Sequence, residues 1–338
     1  MPTQETPGSP DGPLDTGSLD IRLFDGNGKV EDIELHAVDL PKLEEHQLLW
    51  VDLEGGGDAC IEQAFEQLGL AGESLRDFAD RSASPELRVH NGVFFVRVVA
   101  VRNDGDLAYN GTVVSILTGK NFVVTAHQEP VEFLKQLRER ESDDPGLGML
   151  SADSFTASLL DWHLNTYFEA VADFESADER LENDILDESR RHCLGDLRGL
   201  RKAASRLRRM LSAHRTVFSA IARPDFRPTA DGEVNRHFQT VDTHYQRAME
   251  AVENARDVVI GSFELFSNQT ALRTNAIMRV LTILTAVTGS LAVVAGVLGM
   301  NFKAPFFDTG LTGFVVAICG MGALATVGFT LAWWRKWL

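Results

Sequence analysis

The sequence has few cysteines, and their spacing indicates neither a disulfide framework nor a zinc site. Cys60, Cys193 and Cys319 lie far apart in a chain of 338 residues. A reducing compartment is therefore favoured over a secreted, disulfide-rich class. No nucleophile beside a base and no cluster of metal ligands stands out along the chain. The sequence therefore predicts a protein that is not an enzyme.

Positive charge is also scarce. Lys and Arg number 32 against 49 Asp and Glu, a formal net charge of −17. Because proteins that bind nucleic acid carry basic surfaces, this balance predicts no nucleic-acid partner. Residues 1–18 lack the apolar core of a signal peptide and are rich in Pro, Gly, Ser, Thr and Asp. We predict a disordered tail there.

Proline is absent from Glu233 to Ala304. Since proline interrupts helices, its absence predicts one helix over residues 233–300, ~100 Å long at ~1.5 Å per residue. Within it, Val280–Leu298 has no charged residue, and the apolar stretch of residues 276–300 is interrupted only by Arg279. That length is enough to cross the ~30 Å hydrocarbon core of a bilayer.

A second uncharged run, Leu311–Trp334, follows after a short loop at residues 302–310. Both runs are predicted to be transmembrane helices. Basic residues lie before the first run and after the second, namely Arg273, Arg279 and the basic C-terminus at residues 335–338. Positive charge collects on the cytoplasmic side, so both termini are predicted to be cytoplasmic.

Residues 19–143 alternate strand and helix signals, which predicts an N-terminal α/β domain in the cytoplasm. Val93–Val101 and Leu107–Leu117 are predicted strands with turn residues between them. A glycine run, Gly55–Gly57, follows the predicted strand Leu48–Leu53. It lacks the Lys and Ser/Thr that complete a phosphate-binding loop, so we predict a turn.

Two helices of opposite charge follow in residues 151–232. Ser151–Glu188 is rich in acidic residues, and Asp196–Ala222 is rich in arginine. We predict an antiparallel helical hairpin with complementary charges. The predicted fold class is α+β: an N-terminal α/β domain, a helical hairpin, a very long stalk helix and two transmembrane helices.

The first transmembrane helix carries a stripe of small, polar or flexible residues on an otherwise aliphatic surface. Steps of three and four residues place the stripe on one helix face. Such a stripe is either a helix-packing seam or, when several copies assemble, the lining of a narrow pore. Its members are Asn275, Met278, Thr282, Thr285, Gly289, Ala292 and Gly296.

The end of this helix carries a recognisable signature. Gly299-Met300-Asn301 stands where the apolar run stops, two transmembrane helices from the C-terminus. Together with Asn275–Thr282 and the ending Trp333–Leu338, it resembles the Gly-Met-Asn signature of the CorA family of divalent-cation channels. The resemblance implies a homopentameric funnel in a bacterial-type inner membrane, with a ring of Asn301 at the outer mouth. The cation is cargo, and no covalently bound cofactor is implied.

The same resemblance assigns further roles. Met278 and Leu281 match gate positions near the cytoplasmic end of the pore, where a ring of apolar side chains can close by dewetting. Glu264 matches a regulatory carboxylate that binds metal, and Asp77 matches its partner. Ordinary helix packing for the first pair, and an exposed surface charge for Glu264, remain the alternatives.

The outer loop departs from the magnesium channels of the family, which follow the signature with Met-Pro-Glu-Leu. Here Lys303 brings a positive charge, and the acidic group is Asp308. Residues 207–225 also resemble the ZntB branch, which handles zinc. We predict a transporter of Mg²⁺, Co²⁺ or Ni²⁺, with a ZntB-type zinc transporter, with or without proton coupling, and a non-conducting two-pass scaffold or sensor as alternatives.

Overall fold

The computed structural model describes residues 17–25, 30–44, 46–70, 78, 84–90, 92–140, 150–187, 193–226, 232–300 and 310–335. The chain forms two compact units. The first contains Met1–Leu181 and Leu194–Ile260, and the second contains Glu182–Cys193 and Gly261–Leu338. Most of the predicted tail and the predicted outer loop lie outside the described residues.

The first unit is built on one mixed sheet. Among the described residues seven strands form it, in the order β2-β1-β3-β7-β6-β5-β4. β3 and β7 are parallel, and the other neighbouring strands are antiparallel. The strands are β1 (Ser18–Asp25), β2 (Val30–Asp32), β3 (Gln47–Glu54), β4 (Glu86–His90), β5 (Val93–Asn103), β6 (Tyr109–Thr118) and β7 (Phe122–His127).

Helices occur between the strands and after the last strand of the sheet. The part of the chain that the structure describes has two short 3-10 turns, Leu35–Ala37 and Leu40–Lys42. The α-helices of the described residues are α1 (Asp58–Gln67), α2 (Glu132–Arg140), α3 (Ala152–Leu186), α4 (Cys193–Ser212), α5 (Arg215–Ile221), α6 (Gly232–Leu298) and α7 (Leu311–Trp334). The mixed sheet, the 67-residue α6 and two apolar helices confirm the predicted α+β class.

The central strands are buried on both faces because helices pack on each side of the sheet. On β3, Leu49 and Val51 belong to the apolar cluster that includes Phe65 of α1. Trp50 alternates to the opposite face, where its ring meets Phe155 of α3 edge-on at 5.5 Å between centroids. All five side chains are almost fully buried. The period of two along β3 therefore places α1 and α3 on opposite faces.

A buried polar cluster lies at the carboxyl ends of the parallel strands β3 and β7. Thr125 donates to the Asp52 carboxylate at 2.5 Å, and His127 Nε2 lies 3.4 Å from its other oxygen. Arg138 of α2 lies 3.4 Å from the same carboxylate. Burial alone would lower the pKa of His127, but the hydrogen bond and the charge of Asp52 raise it overall. The cluster ties α2 to the sheet.

The outer edge of β5 is completed by side chains instead of a strand. β4 pairs with β5 only as far as Arg97. Beyond it, the Val99 N–H donates to His214 Nε2 at 2.9 Å. The Val99 carbonyl accepts from His163 Nε2 at 2.9 Å and from the Tyr167 hydroxyl at 2.8 Å. Buried backbone groups need partners, and the two histidines and Tyr167 supply them.

Two predictions about local structure are wrong. The helix predicted over Asp196–Ala222 is two helices, α4 and α5, separated by a turn at Ala213 and His214. This turn positions the His214 ring at the edge of β5. The strand predicted from Leu107 begins at Tyr109, because Gly105, Asp106 and Leu107 adopt positive φ in the preceding turn.

The second unit contains the two apolar helices. Each includes an 18-residue window with a mean hydropathy of 2.1, and both are long and apolar enough to cross a membrane. Their seam contains Ile283 of α6 and Ala332 of α7, which are buried. At Gly328 an added Cβ would lie 2.8 Å from Val287 Cγ2, so only glycine permits this approach.

We expect Gly328→Ala to destabilise the α6–α7 hairpin by about 1–3 kcal/mol, because the new methyl group pushes the helices apart. Gly320→Ala on the same helix is the matched control, since no atom lies within 4 Å of its added Cβ. Both variants gain the same helix propensity. Thermal unfolding in detergent measures the difference, and equal midpoints for the two variants would contradict the close contact.

Candidate ion-conduction site

The predicted stripe lies on the membrane part of α6, and its surface is open in the single chain. Its members are all exposed: Asn275, Met278, Thr282, Thr285, Gly289, Ala292 and Gly296. An added Cβ at Gly289 or Gly296 would meet no atom within 4 Å. The stripe is therefore not a packing seam within the chain.

The covered face of α6 points the other way. Ile283 is buried, and Val287 and Leu291 are partly buried. At ~100° per residue these positions centre about 180° from the stripe around the helix axis. The centres of the packing face and of the stripe therefore lie on opposite sides of α6, and Thr282 stands at the border where the stripe meets the groove beside α7. In an assembly of copies, the stripe is free to face an axis while the opposite side keeps α7.

The threonine hydroxyl groups of the stripe can act only as hydrogen-bond acceptors toward water. Thr282 donates to the Met278 carbonyl at 2.7 Å, and Thr285 donates to the Leu281 carbonyl at 2.8 Å. Since each hydroxyl proton is used within the helix, the oxygen lone pairs remain as acceptors. Water molecules around a cation point their protons outward. The stripe therefore suits a hydrated cation.

The helix ends at the signature. The Gly299 N–H donates to the Ala295 carbonyl at 2.9 Å, and the Met300 N–H donates to the Val297 carbonyl at 3.2 Å. Gly310 opens α7 with φ +59° and ψ −130°, a conformation that favours glycine. The outer-mouth residue Asn301 and the loop residues Lys303 and Asp308 lie outside the described residues.

The predicted gate residues and the predicted sensor residue Glu264 are exposed in the single chain. Met278 and Leu281 are 54% and 52% exposed. Glu264 is an exposed residue of α6, whereas Asp77 lies outside the described residues. In the part of the chain that the structure describes, no three His, Cys, Asp or Glu side chains are grouped to hold a metal ion. The paired regulatory site stays a prediction.

Sequence reasoning missed a groove between α6 and α7. It has a volume of about 500 Å³, and Thr282, Ala286, Ser290, Leu324 and Arg335 are among the residues that line it. The basic C-terminus served to orient the helices and to support the family resemblance, and no groove was predicted beside it. A positive charge one residue beyond the apolar α7 was the available signal.

Comparisons with known proteins agree with this architecture. The sequence model of the family described as CorA-like Mg²⁺ transporter protein matches residues 45–336. The cobalt/magnesium transport protein CorA of Thermotoga maritima is 24% identical over 292 residues, covering 86% of this chain and 83% of that protein. The zinc transport protein ZntB of Yersinia enterocolitica is 26% identical over 275 residues, covering 80% and 79%.

The fold is also found in solved structures. The complete CorA magnesium transporter from Methanocaldococcus jannaschii aligns with a TM-score of 0.76 at 18% identity, covering 94% of this chain and 98% of that chain. Full-length CmaX aligns with a TM-score of 0.70 at 19% identity, covering 95% and 98%. The family match spans most of the chain and confirms the resemblance seen in the sequence. The chain belongs to the CorA-like Mg²⁺ transporter family.

Proposed function

We propose that this chain transports divalent metal cations across a bacterial inner membrane as a homopentamer, with the α6 stripe lining the pore. The observation that carries the proposal is the geometry of α6. Its stripe is exposed and lies opposite the face that packs on α7. A ring of such helices encloses an axis with the small and polar residues, while α7 shields the outer side from the pore.

The chemistry of the stripe favours a strongly hydrated cation. Mg²⁺ dehydrates reluctantly and usually keeps several waters. The Thr282 and Thr285 oxygens accept hydrogen bonds from such waters, and glycines at positions 289 and 296 leave room for the water shell. At the outer end, the Asn301 amide carbonyl would accept in the same way. Neutral oxygen dipoles hold the hydrated ion without binding it too tightly to leave.

The cytoplasmic end contains the proposed gate and sensor. Met278 belongs to the stripe and would form an apolar constriction with Leu281. Glu264, further toward the N-terminus on the same helix, would bind a regulatory cation together with Asp77. In this proposal both termini are cytoplasmic, consistent with Arg279 and Arg335 at the two helix ends on that side.

We place Mg²⁺, Co²⁺ and Ni²⁺ ahead of zinc, because the signature contains Met300 and the match to the cobalt/magnesium protein covers 86% of the chain. Zinc transport is the second candidate, and the 26% identity to ZntB supports it. A non-conducting scaffold would have no need of an exposed polar stripe.

A vesicle flux assay tests the proposal. Purified protein in sealed liposomes is expected to admit Mg²⁺, Co²⁺ or Ni²⁺ faster than Zn²⁺, with protein-free liposomes as the control. Repeating the assay with a pH gradient tests proton coupling, which the zinc alternative allows. Native mass spectrometry is expected to show five copies. Flux equal to that of protein-free liposomes for all four metals would refute transport.

A further inference from the structure

The groove between α6 and α7 has basic residues at one end. Arg335 lines it directly. Arg279 precedes Ile283 by one helical turn and lies on the same side of α6 as Ala286. Both arginines are exposed. Among the described residues no carboxylate forms an ion pair with either guanidinium. The groove thus has a largely apolar lining, and the two unpaired guanidinium groups of Arg279 and Arg335 lie at its end on the expected cytoplasmic side.

The interior of the groove offers nothing polar that needs a partner. The Thr282 hydroxyl donates to the Met278 carbonyl at 2.7 Å, and the Ser290 hydroxyl donates to the Ala286 carbonyl at 2.7 Å. The remaining lining is largely aliphatic, with Ile283, Val287 and Leu324 among its members. An apolar occupant therefore fills the groove without leaving a donor unpaired.

We propose that this groove binds an anionic phospholipid, with an acyl chain between α6 and α7 and its phosphate at Arg279 and Arg335. Guanidinium groups bind phosphate well, and two of them at one end match a single headgroup. Anionic lipids are concentrated in the cytoplasmic leaflet, where the basic ends of both helices are expected. The inference rests on the proposed membrane insertion and not on transport.

A helix from a second copy is a poorer occupant of the groove. The membrane runs Val280–Leu298 and Leu311–Trp334 contain no acidic residue. A neighbouring copy of either run would therefore cover the groove and leave both arginines without a counter-charge. An anionic lipid satisfies the apolar groove and the two cations together.

The test is lipid binding by the full-length protein in neutral detergent. Tryptophan fluorescence reports binding, because Trp333 and Trp334 stand beside Arg335 in the chain. Brominated phosphatidylglycerol and brominated phosphatidylcholine are titrated as quenchers. We expect the wild type to prefer the anionic lipid by about tenfold, in line with the attraction of basic residues to anionic membranes. Equal affinity for the two lipids would overturn the proposal.

Variants locate the site. Arg279→Gln with Arg335→Gln is expected to bring the preference close to one, while Arg273→Gln, about 120° from Arg279 around α6, keeps it. Ala286→Phe fills the groove and should remove the preference with the oligomer intact by native mass spectrometry. If Ala286→Phe instead breaks the oligomer and leaves the preference unchanged, a second copy occupies the groove. A protein that transports metal but shows no lipid preference refutes this inference alone.

Discussion

Replacing Asn301 by alanine is expected to lower divalent-cation flux by about a hundredfold in reconstituted liposomes. The proposed ring holds the hydrated ion through amide oxygens, and each lost hydrogen bond costs about 1 kcal/mol. Because the ring repeats the loss in every subunit, a few such bonds suffice for the expected effect. The measurement is initial Mg²⁺ or Co²⁺ influx at matched protein content.

Asn254→Ala is the control for this variant. Asn254 is an exposed asparagine of α6 that lies in the first unit, well before the stripe begins at Asn275. It loses the same amide without touching the proposed pore, so its flux should equal that of the wild type. Native mass spectrometry verifies that both variants keep the oligomer. Unchanged flux in Asn301→Ala would remove the outer-mouth assignment.

Lowering the pH is expected to destabilise the hydrogen bonds of His163 and His214 at the edge of β5 in the first unit. Burial lowers the pKa of His163 to about 4. Burial, followed by the charge of His163, lowers the pKa of His214 to about 3. Both rings are therefore neutral in the folded protein near neutral pH and take up protons on unfolding as the pH falls below about 6.5. The stability present above pH 6.5 is lost toward pH 4.

The expected loss is about 2 kcal/mol from each histidine at pH 5. Hydrogen exchange of the full-length protein measures it, since the Val99 amide donates directly to His214. Exchange in the 94–101 segment should accelerate as the pH falls from 7 to 5, after correction for the intrinsic rate. His127 has the opposite sign: its raised pKa gives stability that is complete below pH 6.5 and lost only at higher pH.

Variants distinguish protonation of His163 and His214 from general destabilisation of the protein at low pH. His163→Gln with His214→Gln removes both titrating rings and should flatten the pH dependence, although its stability at pH 7 is lower. His36→Gln is the matched control, because His36 is an exposed side chain that pairs with the exposed Glu34 across 3.2 Å. It should behave as the wild type. An equally steep acid response in the double variant would contradict the assignment.

Much of the membrane part could be predicted from the sequence, because its signals are local. Two uncharged runs predict spanning helices, the lack of proline predicts a long α6, and steps of three and four residues place the stripe on one face. The turn residues between Val93–Val101 and Leu107–Leu117 likewise indicated two strands. The break between α4 and α5 was missed, because helical periodicity continues through His214 and nothing local marks the turn.

The sequence by itself determined the class of the protein: an α/β domain, a long helix, two apolar helices and a family signature. Only the tertiary structure decided which groups meet. It brought His163 and His214 to Val99, joined His127 to Asp52, and placed Val287 against Gly328 so that the stripe points away from α7. Periodicity records how neighbouring residues share a face. Contacts between distant segments depend on packing, which no local pattern encodes.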